Sequence, residues 1–111
     1  MRTAQQIAAE ITDAIEEFER HHEAAGTALK GGGVNTGNLD TLRESKEKHI
    51  ASFLGDMSFV KASGERFNRK DIEQRIIGIL ANKTQTEVDT FLQQLQNDVS
   101  SARTLNNHIG K

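Results

Sequence analysis

Histidines and carboxylates are the side chains in this sequence best suited to chemistry. On a helix, Glu19-x-x-His22 places a carboxylate and an imidazole on one face, as in di-iron helical bundles. Such sites need a second Glu-x-x-His, but Lys46 stands three residues before His49. We therefore predict no metal site. Both histidines are expected at a helix edge or seam, and a pH-sensitive contact is the alternative.

A glycine-rich segment over residues 30–38 has four glycines within seven positions. A phosphate-binding Walker loop needs glycine, four residues and then Gly-Lys-Ser/Thr directly after a strand, and neither feature is present. Glycine costs about 1 kcal/mol relative to alanine within a helix, so we predict a flexible connector here. Because no Ser/His/Asp arrangement stands out either, we predict no cofactor and no enzymatic activity.

A modest basic cluster lies in the second half of the sequence. Acidic residues interrupt it, and only Phe67 among the aromatic residues interleaves it, whereas nucleic-acid-binding modules usually present a stripe of one sign. We expect a solvated helix face, and contact with nucleic-acid phosphates is the alternative. The cluster consists of Lys61, Arg66, Arg69, Lys70 and Arg75.

The composition limits what these residues can do. The 111 residues, with a net charge of −2 and no cysteine, suit one domain without a strong positive field, disulfides or Cys-based zinc sites. The hydrophobic fraction of 35% predicts a thin core that a second copy or a partner completes. Because no apolar run or signal-like start is present, a cytoplasmic protein without membrane contact is the simplest interpretation.

Helical periodicity predicts the elements that position these groups. Thr3 and Gln6 form a capping box before a helix over residues 4–29. A second helix follows the connector over residues 39–62, with Asn38 as its N-cap.

Two further helices are predicted over residues 69–81 and 85–109. Asn68 and the capping box Thr84-x-x-Glu87 stand at their starts, although one kinked helix is the alternative. The sequence thus predicts a single all-α domain over residues 1–111. We expect an antiparallel helical hairpin or bundle of three to four helices, completed by dimerisation or by a partner.

The apolar faces of the first and last helices are the candidate partner-binding surface, because an amphipathic partner segment can dock in a groove between helices. We therefore expect a protein-binding helical protein, such as a secretion-type chaperone or adaptor, that binds a client protein, a second copy of itself, or both. Internal core is the alternative for these faces. Their residues are Ile11, Ile15, Phe18, Leu92, Leu95 and Val99.

Two segments carry a resemblance to a known family. Residues 38–48 read Asn-Leu-Asp-Thr-Leu-Arg-Glu-Ser-Lys-Glu-Lys, and residues 102–110 contain Asn106-Asn107 and end in Ile-Gly. Together they resemble the FlgN-like flagellar and type III export chaperones, which implies an antiparallel α-helical protein serving a client. In that family the client-binding helix follows an Asn-Gly segment, whereas this sequence ends at Lys111. The resemblance therefore implies that client binding uses another surface, or that this chain lacks it.

A shorter likeness covers residues 68–72, 83–88 and 91–92. These residues are similar to the helical hairpin that opens HU-type DNA-binding proteins. In that family the hairpin mainly dimerises while β-arms grip DNA, and no strand-like segment follows here. The similarity implies dimerisation. A dimeric nucleic-acid-associated protein that uses the basic cluster at 61–75 remains the alternative function.

Overall fold

Four α-helices make up the computed structural model, which describes residues 2–30, 37–55 and 57–109. They are α1 (Ala4–Lys30), α2 (Gly37–Leu54), α3 (Arg69–Leu80) and α4 (Gln85–Ile109). The only extended pairing in these ranges is an isolated bridge between Val60 and Arg66. The predicted all-α class is therefore confirmed.

The predicted connector over residues 30–38 falls only partly within the described ranges. Lys30 ends α1 and Gly37 begins α2, so both ends of the predicted connector are helical. Residues 31–36 lie outside the described part of the chain. The prediction that Asn38 caps α2 from outside is wrong, because Asn38 is already within the helix.

Both predicted capping boxes form, and they satisfy backbone N–H groups that have no partner within the helix. At α1 the Gln6 N–H donates to Thr3 Oγ1 at 3.1 Å, and the Thr3 N–H donates to Gln6 Oε1 at 2.8 Å. At α4 the Glu87 N–H donates to Thr84 Oγ1 at 3.1 Å, and the Thr84 N–H donates to Glu87 Oε1 at 3.0 Å.

α3 and α4 are separate helices rather than one kinked helix. Asn68 caps α3 by accepting the Asp71 N–H at 2.9 Å, as the sequence predicts. α3 ends at Leu80, and a tight turn follows in which the Lys83 N–H donates to the Leu80 carbonyl at 3.1 Å. This turn places Lys83 directly before the first turn of α4.

α2 is shorter than predicted, ending at Leu54 and not at residue 62. Gly55 follows with a positive φ of 67°, and its N–H donates to the Ala51 carbonyl at 3.0 Å. A glycine in the left-handed region is a common helix terminator because it has no Cβ to clash. The prediction that the second helix continues through Gly55 is wrong, because the apolar residues after Gly55 lie in a hairpin and not in a helix.

That hairpin, residues 57–67, connects α2 to α3. The Phe67 N–H donates to the Phe59 carbonyl at 3.1 Å, and Gly64 takes a positive φ of 90° in the turn. Three apolar side chains fix the hairpin by packing against the helical core, namely Met57, Phe59 and Phe67.

α4 is the helix against which both α1 and α2 mainly pack, while α3 packs on α1. Phe91 of α4 stacks on Phe53 of α2, with ring centroids 4.3 Å apart. Arg103 of α4 bonds Glu17 of α1. The contact between α1 and α2 is minor, because α4 covers the apolar faces of both.

One main core cluster joins all four helices. Every buried side-chain nitrogen and oxygen in the described part of the chain has a hydrogen-bond partner. The largest fully buried side chains are Phe18, Phe91, Ile11, Ile76, Leu95 and Val99.

Candidate functional site

The six residues predicted to bind a partner lie in the interior of the chain. Ile11 and Leu95 are 0% exposed, and Leu92, the most accessible of the set, is 6% exposed. Ile15, Phe18 and Val99 are buried beside them. The prediction of a binding surface is therefore corrected to internal core, because α1 and α4 bury these faces against each other and against α2 and α3.

The basic cluster is largely engaged within the chain. Arg66 bonds the carboxylate of Glu19 on α1. Arg69 reaches Asp13 at 2.6 Å, Glu16 at 3.3 Å and, within its own helix, Glu73 at 2.7 Å. Its pKa is raised above the ordinary value, first by the hydrogen bond to Glu73 and then by the one to Asp13. These arginines fasten α3 and the hairpin to the acidic side of α1.

Two further members of the cluster stack on one ring. The Arg75 guanidinium carbon lies 3.9 Å from the Phe67 ring centroid, and the Lys61 ammonium lies 5.9 Å from it. Lys70 is exposed on α3. Since the arginines already pair with carboxylates or stack on a ring of the same chain, the arrangement favours a role in holding α3 and the hairpin on α1 over the nucleic-acid alternative.

The first predicted seam histidine joins α1 to α2. His22 Nε2 lies 2.9 Å from the Leu39 carbonyl oxygen, and its ring stacks on Phe18 with centroids 5.7 Å apart. His21 lies 3.3 Å from Glu17 on the same helix. Among the described residues, no three His, Cys, Asp or Glu side chains converge as metal ligands would.

The second seam histidine belongs to a polar network between α2 and α4. His49 Nδ1 lies 2.6 Å from Asp98 Oδ2, and Ser45 Oγ donates to Asp98 Oδ1 at 2.8 Å. The Asp98 side chain is only 7% exposed. This network was not predicted, although an aspartate within the apolar stripe of α4 indicates a buried acceptor that needs donors.

Beside this network lies a cleft of about 310 Å³ between α2 and the start of α4, which we call the polar cleft. The stacked rings of Phe53 and Phe91 are among its lining residues. His49, Gln94, Lys83 and Glu87 line it as well, along with several hydroxyl side chains. The lining of the cleft therefore combines aromatic, charged and hydrogen-bonding groups.

A second cleft, of about 270 Å³, lies where α1 begins and α3 ends, and we call it the apolar cleft. Val88 lines this cleft, and it lies on a different face of α4 from the residues that line the polar cleft. Lys83 lines both clefts. The first turn of α4 is therefore flanked by two clefts that share one lysine. Aliphatic side chains dominate the apolar cleft, namely Ala4, Ile7, Ile77, Leu80, Ala81 and Val88.

Lys83 is half-buried, and its ammonium lies 5.0 Å from the Phe53 ring centroid. It forms no salt bridge with the described residues. Glu87 contributes the carboxylate of the polar cleft, but Thr84 engages that carboxylate in the capping box. The hydrogen bonds from Thr84 lower the pKa of Glu87, with a smaller contribution from the charge of Lys83. Within the described residues, Lys83 is thus a cation that forms no salt bridge and lies at a junction of two clefts.

Comparisons with protein-family models, curated proteins and solved structures gave no match to this chain. The likenesses to FlgN-like chaperones and to the HU-type hairpin therefore stay predictions. None of the helices in the described ranges is both long and apolar enough to cross a membrane.

Proposed function

We propose that this protein is a non-enzymatic, protein-binding helical protein, such as a secretion-type chaperone or adaptor, that receives an amphipathic segment of a partner. The observation that supports the proposal is the pair of clefts around the first turn of α4, joined by Lys83. This site replaces the buried faces of α1 and α4 as the partner-binding surface.

The apolar cleft has the size and lining to hold the partner's apolar anchor. A closed cavity of about 150 Å³ accommodates a benzene molecule, so a cleft of about 270 Å³ has room for one or two aliphatic side chains. Ile7 and Ile77 line it and are only half-buried in the chain alone. Burying one Leu or Ile of a partner contributes about 1.5–3 kcal/mol, which is typical of an anchor residue.

The clefts suit docking of a helix rather than of a strand. Their walls are helices and one tight turn, and the described part of the chain offers no strand edge beyond the short hairpin. An amphipathic partner helix can present residues at i, i+3, i+4 and i+7 to such a groove.

A substitution that fills the apolar cleft tests the proposal. Ala81 is exposed and lines the cleft, so Ala81→Trp blocks it while leaving the core unchanged. Ala24 is exposed on α1 outside both clefts, which makes Ala24→Trp the matched control. Affinity capture from the native cell lysate is expected to recover a stoichiometric partner with the unchanged protein and with Ala24→Trp, and to lose it with Ala81→Trp.

Two outcomes contradict the proposal. One is the absence of any stoichiometric partner, and the other is a partner that Ala81→Trp retains at full yield. Light scattering over a range of protein concentrations tests whether a second copy is the partner. In that case self-association weakens with Ala81→Trp and is unchanged with Ala24→Trp.

A further inference from the structure

We infer that the partner segment carries an acidic side chain, whose carboxylate enters the polar cleft and pairs with Lys83 while an aliphatic neighbour fills the apolar cleft. The inference rests on the proposed function and specifies the chemistry of the partner.

The contrast between Lys83 and the arginines of this chain supports the choice of an acidic group. Five arginines form salt bridges with carboxylates of the chain itself: Arg2, Arg43, Arg66, Arg69 and Arg103. The lysines of the described residues form no such salt bridge, and Lys83 differs from the other lysines in lining both clefts, with its ammonium over an aromatic ring. An aromatic ring attracts the ammonium but does not accept all three of its N–H donors, and in the half-buried Lys83 the others are open to solvent. A carboxylate from a partner can accept those donors.

The surroundings of Lys83 add hydrogen-bonding capacity for the same carboxylate. Thr86 and Thr90 contribute hydroxyls to the lining of the polar cleft, and Gln94 contributes a side-chain amide. Glu87 is the acidic residue among the described lining residues, and its carboxylate accepts the Thr84 N–H. This hydrogen bond holds the Glu87 carboxylate at the Thr84 N–H, while the lowered pKa keeps its negative charge.

Burial makes the pairing selective. Exposed ion pairs contribute little because water and salt screen them. Lys83 is already half-buried, and a partner covering both clefts shields it further. Hydrogen bonds to charged groups then contribute more than neutral ones, so the acid is expected to raise affinity by about tenfold or more.

The width of α4 limits the spacing of the two anchors in the partner. The clefts lie on different faces of one helical turn, and an α-helix with its side chains is about 10 Å across. In a partner helix that rises 1.5 Å per residue, this distance corresponds to at most about seven residues. The acid and the aliphatic anchor are therefore expected at i and i+4 or i and i+7.

The test is selection of peptides from a displayed random library on three versions of the folded full chain. The unchanged protein is expected to enrich peptides with Asp or Glu at one of these spacings from an aliphatic residue. Lys83→Glu is expected to exchange the acid for Lys or Arg at the same position. Lys70→Glu reverses an exposed lysine outside both clefts and serves as the matched control, with the unchanged preference expected.

Affinity measurements complete the test. Replacing the selected acid by its amide is expected to weaken binding to the unchanged protein about tenfold and to leave binding to Lys83→Met unaffected. Lys83→Met keeps the aliphatic stem, so it also replaces Lys83→Glu if the charge reversal reduces helix content in circular dichroism.

The outcomes separate the two proposals. Selected peptides that lack an acid preference, or that keep it with Lys83→Glu, overturn the acidic anchor but leave a peptide-binding protein. If no peptide binds above the level of a protein without such clefts, both the acidic anchor and the proposed function are contradicted.

Discussion

His49 Nδ1 lies 2.6 Å from Asp98 Oδ2 and joins the middle of α2 to α4. Ser45, one helical turn before His49, donates its hydroxyl to the other oxygen of the same carboxylate at 2.8 Å. Both oxygens of a nearly buried carboxylate are therefore satisfied by donors from one facing helix. Because hydrogen bonds are directional, this network fixes the register of α2 on α4 and hence one wall of the polar cleft.

Removing the carboxylate is expected to destabilise the fold. Asp98→Ala removes the acceptor of the Ser45 hydroxyl and of the His49 N–H. Both groups are half-buried, so water replaces part of the lost bonding and the expected cost is about 1–3 kcal/mol in total. Asp98→Asn keeps one carbonyl acceptor and is expected to cost less. Urea unfolding, followed by circular dichroism, measures both differences.

Asp89 provides the matched control on the same helix. It is exposed, and within the described residues it accepts a hydrogen bond only from Gln85, one turn away. Asp89→Ala is therefore expected to change the free energy of unfolding by no more than about 0.5 kcal/mol. Equal losses for Asp89→Ala and Asp98→Ala would show that the network contributes nothing beyond a surface charge.

The capping box of α4 leads to a second prediction, because it supports the turn that carries Lys83. Thr84→Ala removes the hydroxyl that accepts the Glu87 N–H and is expected to cost about 1 kcal/mol. Thr86→Ala, in the same turn, is the control and is expected to be nearly neutral. The urea midpoints of the two variants are to be compared at pH 7. Equal midpoints would contradict a stabilising role of the Thr84–Glu87 capping box.

A third prediction concerns pH. The pKa of Glu17 is lowered, first by the hydrogen bond from Arg103 and less by the one from His21. A carboxylate with a lowered folded-state pKa stabilises the fold above its ordinary pKa and loses this contribution as the pH falls through the folded-state value. Arg103→Gln is therefore expected to lower the free energy of unfolding by about 0.2–1 kcal/mol at neutral pH and to leave it unchanged in acid.

The measurement is a series of urea midpoints for the unchanged protein and Arg103→Gln from neutral to acidic pH. Arg43→Gln is the control, since the exposed salt bridge of Arg43 is to Asp40 on the same helix, α2. A difference for Arg103→Gln that stays constant over the whole pH range would contradict the assigned cause.

The local structure was predictable where a few neighbouring residues decide it. Thr84 and Glu87 are three residues apart, and their reciprocal hydrogen bonds depend only on that spacing. Gly55 shows the limit of such reasoning. A glycine within an apolar stripe permits both a close helix crossing and a helix end, and the packing of the hairpin after it decides between them.

The site was less predictable because it depends on which helices meet. Ser45 and Asp98 are 53 positions apart, and no local pattern indicates that α2 packs on α4 rather than chiefly on α1. The same uncertainty explains why Ile15 and Leu95 were predicted as a binding surface. An amphipathic helix shows which face is apolar, but not whether that face is covered by the same chain or by a partner.

A last prediction separates these two roles for the apolar faces of α1 and α4. Ile15 is 3% exposed and Leu95 is 0% exposed, so Ile15→Asp and Leu95→Asp each place a charge in the core. Loss of a buried aliphatic side chain costs about 2–5 kcal/mol, and burial of an unpaired carboxylate adds to that cost. Together these costs equal most of the free energy of unfolding of a small domain. Both variants are therefore expected to lose cooperative thermal unfolding. Val60→Asp is the control, because Val60 is 45% exposed. Retention of full helix content and a cooperative transition by Leu95→Asp, with loss of the partner alone, would return these faces to the role of a binding surface.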